Sequence, residues 1–467
     1  MAEVEVWEQV LNAASPSWQA SRPRRSIRRR LEDKWKSIQV ESQDAYSIER
    51  LESLNLYCTT TSTSRVILLC VLTPVPALLA ALVLQSFPLR PPTEGLVANW
   101  VFWLRLFITH SMIGVVENSS MTRLIPGLVY PVWKRIAVAL VTNVAFVATC
   151  LLAASQIGFP LPFMMQFGVV PIGIFSALAT RLGLGPVLFA KDSPLKSQAD
   201  RYNRFFGSFM VLCGVFPVYK VLYDLIPVTY RGVIVVLLPA WKFAAKHFMV
   251  RSTRDFEDVM PVLVTLAVDF LCTIFISVCM SSTQSISSML LFVAVNIGQS
   301  LLEFRAMSAN GKALRELLDD RDDPTSRVKN QEQNQLSTRQ IVAQGVQLLF
   351  HSELVALVQY VECIVPIIFL IYKSVLEQMP NVMFYPGDAG NWDMESFVNI
   401  SVFAVMEIAL LLCFNTFLRH RFGFFPFYLL GFVLETEVCI VQAILFVFVL
   451  VILQYELEHF GQLTIAI

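Results

Sequence analysis

The sequence has few charged residues, and it lacks the motifs of the common enzyme classes. Charged residues make up 15% of the 467 residues, against about 25% in soluble domains. There is no HExxH, no CxxC pair, no GxSxG and no glycine-rich phosphate loop, and the five histidines form no i, i+4 pair. The net charge is zero, so no global field attracts a polyanion. We therefore predict a protein that is not an enzyme, holds no metal or cofactor and binds no nucleic acid.

The nine cysteines do not form a spaced framework either. Eight of them lie in apolar runs, where a small hydrophobic side chain is a more common role than a disulfide or a metal ligand. No short apolar segment precedes residue 66. We expect the first spanning helix, rather than a cleaved signal peptide, to direct insertion into the membrane.

Apolar residues are what the chain has in abundance, at 55% of the total with 35 phenylalanines. Many of them form runs long enough to cross a hydrocarbon core of about 30 Å as a helix. This pattern predicts an all-α polytopic membrane helix bundle, in the plasma membrane or an endomembrane, with the lipid bilayer as its main partner. The eleven predicted spans are 66–85, 97–116, 136–158, 163–180, 205–224, 232–250, 258–280, 286–304, 354–373, 397–417 and 428–453.

The basic residues predict the orientation of these spans. With the N-terminus in the cytoplasm and the C-terminus outside, 31 of the 36 lysines and arginines fall on the cytoplasmic side, as the positive-inside rule requires. This count places Lys242 and Lys246 at the cytoplasmic end of their span. The same orientation puts the glycosylation sequon at Asn118 in the cytoplasm, where we expect it to stay unmodified. The other basic residues are Arg90, Arg231 and Lys373 outside, and Arg105 and Lys220 within spans.

The spans divide the chain into four predicted segments: a basic cytoplasmic segment (1–65), eight transmembrane helices (66–304), a polar cytoplasmic loop (305–353) and three further transmembrane helices (354–467). In the loop we expect a short helix and a flexible connector. From Arg24 to Ile38, apolar residues recur every three to four positions among basic ones. That spacing is typical of a helix that lies on anionic lipid, although a solvated basic tail that only fixes the topology is an equally good interpretation.

A set of polar side chains lies near the middle of the predicted spans. Asp269 is the one charge in PVLVTLAVDFLCTIFISVCM, residues 261–280. Each charged group costs about 2.5–3.5 kcal/mol on insertion scales if it faces lipid, so each needs a partner, a proton or water. The candidate residues of an ion or substrate path are Asp269, Asn296, Gln299, Glu303, Glu362, Glu407 and Glu435.

Two interpretations of this set remain open. In the structural one, Arg105 and Lys220 pair with two of the acids and the rest are protonated hydrogen-bond donors between helices. In the functional one, several carboxylates bind a cation or proton that drives the movement of a substrate. The acids outnumber the bases within the spans, which favours the functional interpretation and a coupling role for Asp269.

Several segments resemble a large oomycete family of uncharacterised multi-pass membrane proteins. They include LYCTTTSTSRVILLCVLTPVPALL, FPLRPPTEGLVANWVFWLR, VDFLCTIFISVCMSS, LVQYVECIVPIIFLIY with MPNVMFYPG after it, and YLLGFVLE. These segments are spread over most of the predicted membrane region. The resemblance implies an intact membrane domain, and it supplies no catalytic or binding residues.

The sequence therefore predicts a secondary transporter or a related permeation protein. A non-transporting receptor or scaffold, which recruits partners through its cytoplasmic tail and loop, is the alternative. A membrane-embedded transferase is a third and weaker one. A hydrated cavity at Asp269 or Glu362 would favour transport, and dry ion-paired acids would favour a scaffold.

Overall fold

A computed structural model describes residues 48–190, 193–227, 231–281, 286–322, 331–385, 392–422 and 426–461. All of them belong to the compact unit Asp44–Ile467. Within these ranges the regular structure is helical throughout and contains no strand, which confirms the predicted all-α helix bundle. The predicted interfacial helix, Arg24–Ile38, lies outside the described residues.

Fourteen α-helices lie in the described ranges, several of them joined by short 3₁₀ turns. They are α1 (Ile48–Thr60), α2 (Thr63–Leu72), α3 (Val75–Gln85), α4 (Trp100–Leu124), α5 (Val132–Ile157), α6 (Met164–Leu184), α7 (Lys196–Leu225), α8 (Arg231–Thr253), α9 (Met260–Ser281), α10 (Ile286–Asp322), α11 (Gln331–Leu376), α12 (Met394–Phe422), α13 (Pro426–Thr436) and α14 (Val438–Leu450).

Seven helical segments in the described part are long and apolar enough to cross a membrane, and a bent pair of helices is an eighth candidate. The seven are Thr63–Gln85, Trp100–Leu124, Val132–Ile157, Met164–Leu184, Met260–Ser281, Gln347–Leu376 and Met394–His420. The other predicted spans, 205–224, 232–250 and 286–304, fall within the helices α7, α8 and α10. Every predicted span is therefore helical, while the number of crossings stays a prediction.

The helix α9 forms the centre of the bundle. Every residue from Met260 to Met280 is buried, and α7, α8, α11, α12 and α14 all pack against it. The ring of Phe270 stacks on Phe448 of α14 with centroids 4.8 Å apart. A helix that is apolar on all sides lies either in a protein core or in a membrane, and here the neighbouring helices bury it. Asp269, near the middle of α9, is therefore fully buried among these helices.

Two predicted spans are broken in the structure. The first consists of α2 and α3, which meet at Pro74 because proline cannot donate the hydrogen bond that would continue α2. The last predicted span, 428–453, is two helices, α13 and α14, bent by 84°. Glu435 and Gln442, seven residues apart in this span, therefore lie on different helices and share no helix face.

The predicted loop 305–353 is also different in the structure. The helix α10 continues to Asp322, and α11 begins at Gln331, so both helices run far beyond the expected span ends. Helices of 37 and 46 residues are about 55 and 70 Å long at 1.5 Å per residue. Each is longer than a hydrocarbon core of about 30 Å is thick, so a crossing would use only part of either helix.

Candidate functional site

Three long helices bring two lysines and two carboxylates together in the centre of the bundle. On α8, Lys242 and Lys246 are one turn apart and face α9. The Nζ atom of Lys242 lies 2.7 Å from Oδ1 of Asp269 and 2.9 Å from Oε1 of Glu362 on α11. Lys246 Nζ lies 3.1 Å from the same Oδ1 atom. Asp269 thus has two ammonium groups as partners and is fully buried.

Amide side chains extend this arrangement to α10 and α12. Gln359 Nε2 donates to Glu362 Oε2 at 3.1 Å and to Ser300 Oγ at 3.2 Å. Asn296 on α10 donates through Nδ2 to Oε1 of Glu407 on α12. Glu362 therefore has an amide partner besides Lys242, and the partner of Glu407 is an amide.

A small cavity lies among these side chains. Its volume is about 10 Å³, and Lys242, Asn296, Gln299 and Glu362 lie in its wall. That is close to the smallest volume that holds one water molecule. The described conformation is therefore compact at this point and not an open aqueous path.

Negative charge is in excess here. Glu303 lies one helical turn beyond Gln299 on α10 and within electrostatic range of both lysines. Its Oε2 atom and Oε2 of Glu407 are buried without a hydrogen-bond partner. Four carboxylates thus share two ammonium groups. We call this set the ion cluster; its members are Lys242, Lys246, Asp269, Glu303, Glu362 and Glu407.

The structure brings six of the seven predicted path residues to the ion cluster or its small cavity. The seventh, Glu435, lies on α13 and pairs with Arg65 at a partly exposed site. The six are Asp269, Asn296, Gln299, Glu303, Glu362 and Glu407.

The expected cationic partners, Arg105 and Lys220, are elsewhere. Arg105 donates to the side chain of Gln454, and Lys220 Nζ lies 3.6 Å from Glu456 Oε1. Lys242 and Lys246 take their place. The sequence pattern does not predict this, because these two lysines lie in the second half of an apolar run and the positive-inside rule places them at the cytoplasmic end of their span.

Glu456, just beyond α14, joins Lys220 to a second lysine. Lys373 Nζ lies 3.9 Å from its Oε2 atom. Burial opposes charge on Glu456, but Lys373 and Lys220 hold the pKa of this carboxyl below its ordinary value.

A second buried ionic group lies at the bend between α13 and α14. Glu437 is fully buried and accepts two hydrogen bonds from Arg123, at 2.9 Å from Nε and 2.7 Å from Nη2. Arg50 Nη1 lies 3.6 Å from Glu437, and its Nη2 donates to Glu353 at 2.9 Å. We call these four residues the arginine network.

No protein-family model matches this chain, and no curated protein and no solved structure is similar to it. The resemblance to the oomycete family stays a prediction.

Proposed function

We propose that this multi-pass membrane protein is a secondary transporter or a related permeation protein in which the ion cluster exchanges protons or a monovalent cation. The supporting observation is the excess of carboxylates among the described residues: Asp269, Glu303, Glu362 and Glu407 share two ammonium groups, Lys242 and Lys246. With all six ionised the cluster would carry two uncompensated negative charges in an apolar interior, which is costly. Uptake of a proton or cation removes that cost.

The pairing divides the roles among the acids. Asp269 contacts both lysines at 2.7 and 3.1 Å, so it acts as their counterion rather than as the exchanging group favoured from the sequence. Glu407 accepts from a neutral amide, and Glu303 has a buried oxygen without a partner. We assign the exchanging proton or cation to Glu407 and Glu303.

The same proposal includes eleven crossings, with the N-terminus in the cytoplasm and the C-terminus outside. The bend at Glu437 leaves Val438–Gln454 as the last crossing, about 25 Å long at 1.5 Å per residue.

Asn118 donates to the carbonyl oxygen of Arg135 and is buried, so its failure to carry a glycan would not report the orientation. Tags at the two termini, tested for protease access in sealed vesicles, are the suitable measurement. Tags accessible from the same side would contradict an odd number of crossings.

A receptor or scaffold is the second candidate, and the long helices favour it. The helices α10 and α11 project polar segments beyond the hydrocarbon core. Such segments offer partner proteins a rigid surface. The close ion pairs of Asp269 and the small size of the adjacent cavity also fit a static role.

Proteoliposomes with a trapped pH indicator separate the two candidates. A panel of amino acids, sugars, organic acids and amines is added outside, and a transporter that exchanges protons changes the internal pH for at least one solute. We expect Glu407→Gln to abolish that change while the protein stays folded. Glu435→Gln is the matched control, because it removes a carboxylate outside the ion cluster, and its signal should match wild type. A signal that Glu407→Gln leaves unchanged would contradict the role of the ion cluster, and no signal across the panel would favour the scaffold.

A further inference from the structure

A larger cavity lies in another part of the bundle, between α4, α5, α6, α7 and α14. Its volume is about 110 Å³, and none of its lining residues belongs to the ion cluster. The wall is mostly apolar and contains Phe146, Met164, Phe206 and Met210. Methionine side chains adapt to ligands of different shape. We call this space the α4–α7 cavity.

One acidic side chain, Glu117, lines this cavity. Its Oε1 atom accepts a hydrogen bond from Tyr202 at 3.3 Å, which orients the carboxyl group. In the described part of the chain no basic side chain forms an ion pair with Glu117. A carboxylate in such a wall needs a cation or a proton to offset its burial.

Other polar groups of the wall are neutral or already bonded. His110 Nδ1 lies 3.0 Å from the carbonyl oxygen of Leu106. A carbonyl oxygen only accepts, so Nδ1 carries the proton and Nε2 is a free acceptor. Asn143 donates to the carbonyl oxygen of Ala139 at 2.7 Å, and Thr142 Oγ1 is buried without a partner. Among the polar groups left to a ligand, the Glu117 carboxylate and His110 Nε2 are acceptors, and the Thr142 hydroxyl can accept as well as donate. The wall can therefore bind a hydrogen-bond donor.

We propose that the α4–α7 cavity binds a small apolar ammonium ion, with the ammonium group on Glu117 and the apolar body against Phe146, Phe206 and the methionines. The size fits a short branched or cyclic alkyl group, since an apolar cavity of about 150 Å³ holds benzene. This site goes beyond the proposed transport function, because binding here needs no exchange at the ion cluster.

Two glycines of α7 give a matched pair of variants for the test. Gly214 lines the cavity, and a Cβ atom built there meets nothing within 4 Å. A leucine at this position would therefore occupy the cavity without a backbone clash. Gly207 lies two turns earlier on the same helix, also has open space around a Cβ, and does not line the cavity. Gly214→Leu should block binding, and Gly207→Leu should not.

The experiment is isothermal titration of the full chain in lipid nanodiscs, with empty nanodiscs subtracted to remove partitioning into lipid. The probes are cyclopentylammonium and its neutral counterpart cyclopentanol. We expect the wild-type protein to bind the ammonium at least about tenfold more tightly than the alcohol, which corresponds to about 1.4 kcal/mol. Glu117→Gln should remove this preference and leave binding of the alcohol unchanged.

Each other outcome contradicts the proposal. Equal binding of the two probes by the wild-type protein would mean that Glu117 does not select charge. A preference that survives Glu117→Gln would place the ammonium elsewhere, and binding that survives Gly214→Leu would place the ligand outside the cavity. Glu407→Gln should bind the ammonium as the wild type does, so a failure of the transport proposal leaves this one intact.

Discussion

The ion cluster and the arginine network each contain a fully buried carboxylate, Asp269 and Glu437, but they differ in charge balance and in position. The arginine network pairs two guanidinium groups with two carboxylates, and it lies where α4 ends and α14 begins. The ion cluster sets two ammonium groups on α8 against four carboxylates on α9, α10, α11 and α12. Three of these helices, α9, α11 and α12, contain segments long and apolar enough to cross a membrane. Equal numbers of acids and bases suit the arginine network to a structural role, in which its charges stay constant. The excess of acids suits the ion cluster to the uptake and release of a proton or cation.

The choice of base agrees with this difference. Arginine stays charged and binds a carboxylate through two parallel hydrogen bonds, as Arg123 does at Glu437. Lysine is a compact charge that one carboxylate can share with another, as Lys242 does between Asp269 and Glu362. The arginine network therefore uses arginine for a fixed, two-bonded pair, and the ion cluster uses lysine, which several carboxylates share.

The largest expected effect follows from the removal of the shared counterion. Asp269→Asn leaves Lys242 and Lys246 without their common partner in a fully buried site, so we expect a loss of about 3–5 kcal/mol in the free energy of unfolding. Thermal unfolding of the purified protein in nanodiscs measures it. A second change, Lys246→Met, should restore part of the loss. Asp269→Asn with wild-type stability would mean that Asp269 is no counterion.

His459 allows the effect of burial on a titratable group to be measured where no ion pair with a described residue is involved. Its Nε2 atom lies 2.9 Å from the carbonyl oxygen of Arg90, so Nε2 carries the proton, and its Nδ1 atom is buried without a partner. Burial lowers the pKa of His459 from 6.5 to about 4. The folded protein therefore favours the neutral ring. The unfolded chain takes up the proton near pH 6.5 and the folded protein only near pH 4, so the free energy of unfolding falls as the pH drops from 6.5 towards 4.

This contribution should amount to about 3 kcal/mol, at 1.36 kcal/mol per pKa unit. The measurement compares the pH dependence of unfolding for the wild-type protein and His459→Gln between pH 7 and pH 4. The variant should show the shallower dependence, since it has no ring to protonate. Parallel curves would mean that His459 titrates alike in the folded and unfolded states.

A smaller effect is expected in the arginine network. Glu437→Gln removes the charge that Arg123 and Arg50 share, but the Arg123 side chain is 48% exposed and can turn to water. We expect a loss of about 2–3 kcal/mol. Glu435→Gln is the control at a more exposed pair and should cost less than about 1 kcal/mol. Similar losses for the two variants would show that burial of Glu437 adds nothing.

The smallest change in stability is expected for Glu407→Gln. A neutral carboxyl group and an amide have nearly the same shape, and glutamine keeps an acceptor for Asn296 Nδ2. We expect a change below about 1 kcal/mol, within the range of a neutral hydrogen bond. A loss as large as that of Asp269→Asn would mean that Glu407 is ionised and paired, which would remove the contrast between the two acids.

Much of the bundle could be predicted from local sequence, because apolar runs of helix length report burial or lipid contact directly. All eleven predicted segments are helical. The bend at Glu437 could not be predicted, since PFYLLGFVLETEVCIVQAIL contains no proline or glycine at the break. It is Arg50 and Arg123, more than 300 residues away along the chain, that hold Glu437 there.

The candidate site was predictable in its acids and not in its bases. An acid inside an apolar run stands out wherever it lies, and Asp269, Glu362 and Glu407 were found in this way. Lys242 lies 120 residues from Glu362, and no pattern along the chain reports such a contact. A basic residue near a span end is usually a topology signal. The sequence therefore predicts a topology role for Lys242 and Lys246 and makes Arg105 and Lys220 the expected partners of the acids.

The most direct test of the ion cluster is infrared spectroscopy of its carboxyl groups as the pH changes, because a protonated carboxyl has a carbonyl band that a carboxylate lacks. We predict that the wild-type protein shows a protonated-carboxyl band from the buried interior at neutral pH, that Glu407→Gln weakens this band, and that Glu435→Gln leaves it unchanged. A spectrum without a protonated carboxyl at neutral pH, or one that Glu407→Gln does not alter, would contradict a cluster in which four carboxylates share two lysines and an exchangeable proton.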